Sequence, residues 1–563
     1  MRRLKDVIMV LAGIWIMAMA GCFSSSSDNH AEQGSSPEES SASSVKEVLA
    51  VQGFEVISSV TRDGDTGYLA MNKDEKQCLV LQGSPYNIGF EMGMLLPKGT
   101  ALMTQKYPSR LIESFLGIPQ QQNQELFELI LDVARDLCEG AITNEHAIPG
   151  YLLEEMKGLA AGATKAGSNV SFEDVLLLNE GMDALFAILF TGIVPNLDKI
   201  IEHLPGNENL IQERGGRIFF PNARPESIGC NGFVLSGDAT VGGKVYHGRD
   251  FMFETGGIYH NEALTAVYLP DEGLPFVTVT APGFVGQTTG LNSRGLSMGM
   301  DVVFGGATRS TPGTGCLFVL RDIVQHCGNL QDAVERMKVL NRGVAWLYVV
   351  ADDEWSNTYT NGIVVEEGMK ADEQGTVFTS GPDLLSPWQH IQYAGLIMKY
   401  NALDQSDREA DRGVMYRSQS WGYPAAFMGE QGFPGQREVW DDVVLTANHY
   451  IIPNMIFTNM TPWMSLIGPY FTSSSYSEDR YEDLYRRIDK VYGKIDFATA
   501  RDLIDFLNPN RREWNYYFIN GPVEGHHDIY ANQELIAEFL YGYYHPDEPW
   551  VRIDLKPFVE LGR

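Results

Sequence analysis

Between residues 45 and 229 the apolar positions fall mostly three and four residues apart, the period of a helix that buries one stripe. In Gln124–Ala141 (QELFELILDVARDLCEGA) that stripe is Leu126, Ile130, Val133 and Leu137. YLLEEMKGLAAGA and SFEDVLLLNEGMDALFAILF repeat it, the second opened by Ser171 with Asp174 three residues on, a pairing suited to a helix N-terminus. A short strand-like opening (FEVISSV, GYLAM, CLVLQG) precedes these helices. After Gly229 the texture changes. From Cys230 to Met300 the runs FVLSG, KVYHGRD, ALTAVYLP, FVTVTAP and GLSMGMD have strand composition with Gly/Pro punctuation, as adjacent antiparallel strands do. Helical spacing returns at Cys316–His326, Leu330–Leu340 and Trp388–Asn401, with the strand-like WLYVVADD and WSNTYTNGIVV between them. Two blocks of strands with helices before and after predict an α+β chain of stacked antiparallel sheets covered by helices on both faces. No internal repeat is visible.

The N-terminus departs from both patterns. Arg2, Arg3 and Lys5 precede an apolar run of 14 residues, Val7–Ala20. A spanning helix needs about 20 apolar residues, so this run is short for an anchor and suits a signal segment. Met19-Ala20-Gly21-Cys22 resembles a bacterial lipobox, in which residues 1–21 are removed and Cys22 carries the lipid; an uncleaved signal anchor is the alternative. Residues 22–44 contain ten serines and no aliphatic side chain larger than alanine, the composition of a flexible tether. Phe23 after the lipobox cysteine favours the outer membrane by resemblance to enterobacterial sorting. The expected location is therefore the bacterial cell envelope, lipid-anchored, facing the periplasm or the outside.

Composition narrows the function. With 42 Lys+Arg against 73 Asp+Glu, the net charge is −31, which excludes nucleic acid as the first partner to consider. A hydrophobic fraction of 44% supplies a core and excludes wholesale disorder. Six cysteines in 563 residues are too few for a disulfide scaffold, so each is weighed alone. Cys316 and Cys327 would lie about 16 Å apart on one helix, too far to pair. Cys78 and Cys138 sit in apolar contexts, where a disulfide in an oxidising envelope is left open.

Three segments could hold a nucleophile or a metal. Gly295-Leu296-Ser297-Met298-Gly299 has the G-x-S-x-G form of a nucleophile elbow, which requires a strand before Ser297 and a helix straight after it. The continuation MDVVFGGATRSTPG is β-branched and glycine-rich, which disfavours that helix. His526-His527-Asp528 has no further His or Cys at metal-ligand spacing, so a structural or substrate-lining role outweighs a metal site. Gly229-Cys230 lies where the helical half gives way to strands. Cleavage there would leave Cys230 with a free α-amine, a base with a pKa near 8 within reach of its own sulfur. Gly229 favours such a cut because a residue without Cβ accepts strained backbone.

The surrounding blocks raise the third candidate. CNGFVLSGDATVGGKVYHGRDFMF resembles the start of the catalytic subunit in the acyl-coenzyme A:6-aminopenicillanic acid acyltransferase family, relatives of choloylglycine hydrolases in the N-terminal-nucleophile superfamily. LQGSPYNIGFEMGMLL, YLLEEMKGLAAGA and VLLLNEGMD resemble upstream blocks of that family. GLNSRGLSMGMDVV, CLFVLRDIVQHCGNLQDAVERMK, LTANHY and SSYSEDRYEDLYRRI resemble downstream ones, in the same order. The resemblance implies a four-layer αββα sandwich and no metal or organic cofactor. It implies Cys230 as nucleophile, Gly229 as the residue released by autocleavage, Arg249 placing the thiolate, Asn448 donating to the oxyanion and Arg480 approaching the site. Relatives usually place an asparagine after the arginine and an aspartate three residues after it. Here Asp250 and Met252 occupy those positions, and Asp250 shares a strand face with Met252. Asp301 and His449 are weaker, substrate-lining candidates.

The sequence thus predicts a signal (1–21), a tether (22–44), a helical N-terminal part (45–229) and a catalytic part (230–563), the last two self-associating after cleavage. The activity implied is a cysteine amidohydrolase or acyltransferase acting on a linear C–N amide of a small acylated substrate through an acyl-enzyme, with hydrolysis favoured. The alternatives are a serine α/β-hydrolase using Ser297, a phospholipase B-like acyl-ester hydrolase, and a non-catalytic surface lipoprotein binding through WNYYF and YGYYHP.

Overall fold

The computed structural model describes residues 44–143, 147–186, 229–253, 255–303, 313–340, 346–356, 360–367, 440–449, 474–505, 525–542 and 548–561, with short segments at 212–214, 217–219 and 414–417 and the single residues Ile188 and Val344. Cys22 and the segment Trp388–Asn401 lie outside the described residues.

Two sheets form the centre. The first contains, in spatial order, β1 (Phe54–Arg62), β2 (Asp65–Asn72), β3 (Gln77–Gly83), β8 (Leu264–Pro270), β9 (Phe276–Thr280), β10 (Thr289–Asn292), β11 (Ser297–Val302), β12 (Trp346–Ser356), β13 (Thr360–Glu367) and β14 (Val414–Arg417). The second runs β15 (Val443–Thr446), β6 (Gly229–Gly237), β7 (Gly243–Met252), β16 (His526–Ala531), β17 (Ile536–Tyr541) and β18 (Val551–Asp554). A separate hairpin joins β4 (Gln212–Arg214) to β5 (Arg217–Phe219).

Strand alternation sorts the side chains into layers. Val267, Leu269, Val277 and Val279 of the first sheet meet Tyr530, Phe539, Val551 and Ile553 of the second, and Val349, Ala351 and Val364 meet Val234, Val245 and Val444. The outer face of the first sheet, with Leu79, Leu81, Met298, Met300 and Tyr348, is covered by helices including α3 (Pro97–Leu116), α4 (Gln124–Thr143), α6 (Phe172–Phe186) and the helix Cys316–His326. On the outer face of the second, Phe233, Leu235, Leu445 and Ile529 pack against Tyr481, Leu484 and Ile488 of Ser474–Val491 and Leu503 and Ile504 of Phe497–Asp505. The order is helix, sheet, sheet, helix, the expected αββα sandwich.

The structure departs from an all-antiparallel reading at one junction, where β3 pairs parallel with β8. Parallel neighbours need a long crossover, which the helices between Gly83 and Leu264 supply. The strand opening of the helical half is in this way part of the ten-stranded sheet. The glycine-rich upstream blocks have a packing reason. α2 (Pro85–Leu95) and α5 (Gly150–Lys165) touch backbone to backbone: a Cβ on Gly89 would lie 1.9 Å from the Glu155 carbonyl oxygen, and one on Gly158 2.1 Å from that of Tyr86.

Candidate active site

β6 begins at Gly229, and the pairs Gly229↔Met252 and Cys230↔Phe251 carry the β6–β7 ladder across the Gly229–Cys230 bond. Alternation puts Cys230, Gly232 and Val234 on the face toward the first sheet; a Cβ on Gly232 would lie 3.2 Å from Val349. On β7 Arg249 shares that inner face. It enters through a notch at Gly299, where a Cβ would sit 2.1 Å from the Arg249 Cδ. Gly299 is the last residue of the G-x-S-x-G segment, so this glycine admits an arginine.

The site is built where β10 ends. Thr289 pairs with Gly299, and β11 continues through Met300, Asp301 and Val302 with β12 on its other side. This leaves a short strand edge whose backbone groups need partners. Met300 O accepts from Arg249 Nη2, and Val302 O accepts from Asn448 Nδ2 at 2.8 Å. The Val302 N–H donates to the Cys230 sulfur. Asn448 Oδ1 in turn accepts from the Cys230 N–H at 2.6 Å, closing a ring through Cys230, Asn448 and Val302.

Arg480 clamps the same junction. Its Nη2 donates to Asn448 Oδ1 at 2.7 Å and its Nη1 to the Cys230 carbonyl at 3.1 Å. Asn231, with its amide oriented to satisfy both ends, donates to the Cys230 carbonyl and accepts from Arg480 Nη1, each at 3.1 Å. A Cβ on Gly229 would lie 2.7 Å from Arg480 Nη1, so a larger residue before the cysteine would displace the guanidinium.

Arg249 faces two carboxylates, Asp301 (Nε–Oδ1 3.6 Å) and Asp528 (Nη1–Oδ2 4.0 Å), all fully buried, and its guanidinium lies over the Phe251 ring. Asp528 is the β16 residue opposite Arg249, and it accepts from His526 Nδ1 at 2.9 Å. His526 Nε2 meets the Thr288 hydroxyl at 2.8 Å. Asp250 points to the opposite face of β7, with its Oδ1 3.1 Å from His527 Nε2. Its carboxylate is therefore not beside Arg249. His449 is buried with its ring edge-on to Tyr481 at 5.7 Å between centroids.

Burial pushes the Cys230 thiol up to about 12, the Asp301 charge adding to it and Arg249 and the Val302 N–H opposing it. Burial also raises the Asp301 carboxyl to about 6, against the pull of Arg249, the Thr446 hydroxyl and Arg480. His526 is lowered by burial despite its aspartate partner.

The fold brings Cys230, Arg249, Asp301, Asn448 and Arg480 together. Two residues have contacts that the sequence did not show. Asn448 turns its oxygen toward the Cys230 nitrogen and gives an N–H to Val302. His526 and Asp528, read from sequence as structural or substrate-lining, supply the carboxylate behind Arg249; adjacent histidines carry no spacing signal that would have shown this. The serine alternative fails on geometry. Ser297 starts β11 in a β10–β11 hairpin with no helix after it, is fully buried, and is held by His247 Nδ1 at 2.7 Å and Asn532 Nδ2 at 2.8 Å. Cys78 and Cys138 are free, one in the core between the sheets and the other under the helices. Among the described residues no group of three or more His, Cys, Asp or Glu is placed to hold a metal ion, and no helix is long and apolar enough to cross a membrane.

The profile of the family described as acyl-coenzyme A:6-aminopenicillanic acid acyl-transferase matches residues 248–371. An uncharacterized protein of Archaeoglobus fulgidus is 31% identical over 510 residues, spanning 89% of this chain and 69% of its own length. Among solved structures, the Caenorhabditis elegans N-acylethanolamine-hydrolyzing acid amidase ortholog aligns with TM-score 0.30 and 10% identity over 54% of this chain and 93% of its own. Penicillin V acylase from Agrobacterium tumefaciens aligns with TM-score 0.31 and 9% identity over 58% and 86%. Through residues 248–371 the chain is identified with the acyl-coenzyme A:6-aminopenicillanic acid acyl-transferase family, the family that the order of its motifs resembles.

Proposed function

We propose that this chain is a precursor cut between Gly229 and Cys230, and that the freed Cys230 is the nucleophile of an amidohydrolase acting on a linear C–N amide other than an ordinary peptide bond. The observation that carries this reading is the ring through Asn448, which fixes the Cys230 nitrogen at 2.6 Å while the Val302 N–H engages the sulfur of the same residue. Once the bond is cut, that nitrogen is an α-amine, with a pKa near 8 in an unperturbed terminus, able to take the thiol proton. The thiolate attacks the substrate carbonyl carbon, the amine leaves with the proton, and water releases the acid from the thioester. Arg249 offsets the negative charge on sulfur from the inner face. The N-terminal part stays bound to the catalytic part through buried contacts such as Arg321–Glu155, at 3.0 Å.

The test is turnover of a panel of N-acyl amides and matched acyl esters by purified protein. Cys230→Ala is expected to cut amide hydrolysis by about 10⁴ or more. Unchanged turnover in Cys230→Ala would sink the reading, and turnover of the esters alone would replace the amide assignment with an ester one. We further propose lipid attachment at Cys22, which would hold the enzyme at the cell envelope. Metabolic labelling with an alkyne fatty acid is expected to mark the wild type and not Cys22→Ser; equal labelling of both would refute it.

A further inference from the structure

Self-cleavage leaves a chemical gap that the finished enzyme does not have. In the uncut chain the Cys230 nitrogen is an amide, so it cannot accept the thiol proton, and burial keeps that thiol protonated. Another group must act as base for the first cut. The neighbouring candidates differ in placement. Asp250 and His527 face each other on the outer side of the second sheet. His526 is held between Thr288 and Asp528, and Asp528 lies behind Arg249. Asp301 is on the inner face of β11, toward the face of β6 that carries Cys230, one residue before the Val302 N–H that touches the sulfur.

We propose that Asp301 is the general base of the Gly229–Cys230 self-cleavage, a role that rests on the reading that Cys230 is freed by such a cut. The Asp301 carboxylate takes the Sγ proton as sulfur bonds to the Gly229 carbonyl carbon. The C–N bond then breaks, and the proton passes from Asp301 to the departing Cys230 nitrogen. The product is a Gly229 thioester on Cys230, which water hydrolyses to the Gly229 carboxylate and a free thiol. Asp301 is regenerated, and the new α-amine takes over as base for later turnovers.

The groups that set the charge state of Asp301 are Cys230 on β6, Arg249 and Asp250 on β7, Thr446 on β15, Arg480 on the helix Ser474–Val491 and, beyond Arg249, Asp528 on β16. The carboxyl titrates near pH 6 in this setting, so the base form is lost below that value.

The experiment is cell-free synthesis of the full chain with a short radioactive pulse, followed by transfer to buffers from pH 4.5 to 9 and timed gels that separate precursor from fragments. For the wild type the cleavage rate is expected to rise about tenfold per pH unit below pH 6 and to level off above it. Asp301→Asn is expected to cleave at least about 100-fold more slowly at pH 7 and to regain about tenfold per unit up to pH 9, as hydroxide replaces the carboxylate. Asp301→Glu, which keeps a displaced carboxylate, is expected to be slowed and still to level off. A wild-type rate flat across this range, or Asp301→Asn cleaving within about threefold of wild type at pH 7, would overturn the assignment of the base. A wild type uncut at every pH would overturn the self-cleavage reading itself.

Discussion

Replacing Asn448 by alanine opens the ring that holds Cys230. The side chain is buried and makes three hydrogen bonds: it accepts from the Cys230 N–H at 2.6 Å and from Arg480 Nη2 at 2.7 Å, and it donates to Val302 O at 2.8 Å. Two of these join neutral partners, at about 1 kcal/mol each, and the one from a charged guanidinium adds about 1.5–3 kcal/mol. Arg480 keeps its bond to the Cys230 carbonyl, which places the expected loss in the lower part of that sum, about 3.5–4 kcal/mol. Asn448→Asp keeps the acceptor and lacks only the donor to Val302, so its loss is expected to be about 1 kcal/mol. The assay is urea unfolding in the Cys230→Ala background, where the chain stays in one piece, comparing midpoints at unchanged slope. A loss below about 1 kcal/mol for Asn448→Ala would mean that the amide does not bridge these groups, and the reasoning would fail.

Two further substitutions probe buried charges among the helices that cover the first sheet. Glu155 and Arg321 form a buried two-pronged ion pair between α5 and the helix Cys316–His326 (3.2 and 3.0 Å), with Arg321 also donating to Val285 O. Glu155→Ala leaves the guanidinium without its counter-charge and is expected to cost about 3–5 kcal/mol in the same unfolding assay; a loss under 1 kcal/mol would contradict the buried pair. Glu180 on α6 accepts from the Gly315 N–H at 3.1 Å, and burial together with the Asp183 charge holds its carboxyl well above the usual range. A raised folded pKa means the folded state binds the proton more tightly, so stability is fullest at low pH and falls as pH rises above 4.5. Glu180→Gln is therefore expected to raise the unfolding midpoint at pH 8 and to leave it unchanged at pH 4. An equal shift at both values would show that charge is not the cause.

Much of the fold was legible in local periodicity. The stripe Leu126, Ile130, Val133 and Leu137 does face the core, and Ser171 and Asp174 do exchange hydrogen bonds at a helix N-terminus. What local pattern cannot carry is strand direction across a long insertion, and the parallel β3–β8 pairing is a feature of that kind. The site divides the same way. Cys230, Arg249, Asn448 and Arg480 sit in motif blocks, so their convergence could be anticipated by resemblance. The Val302 backbone groups enter only because β10 stops short of them, and that is a property of sheet registration and not of residue type. Asp528 reaches Arg249 because β16 lies beside β7, although 279 positions separate them in sequence.

The central claim is that Cys230 becomes a chain start, and N-terminal sequencing of the purified protein together with its intact mass tests that most directly. The account predicts two fragments that remain associated until denatured, the C-terminal one beginning Cys-Asn-Gly-Phe, and a single uncut chain in Cys230→Ala. A wild-type enzyme that hydrolyses acyl amides as one unbroken chain across the Gly229–Cys230 bond would contradict it.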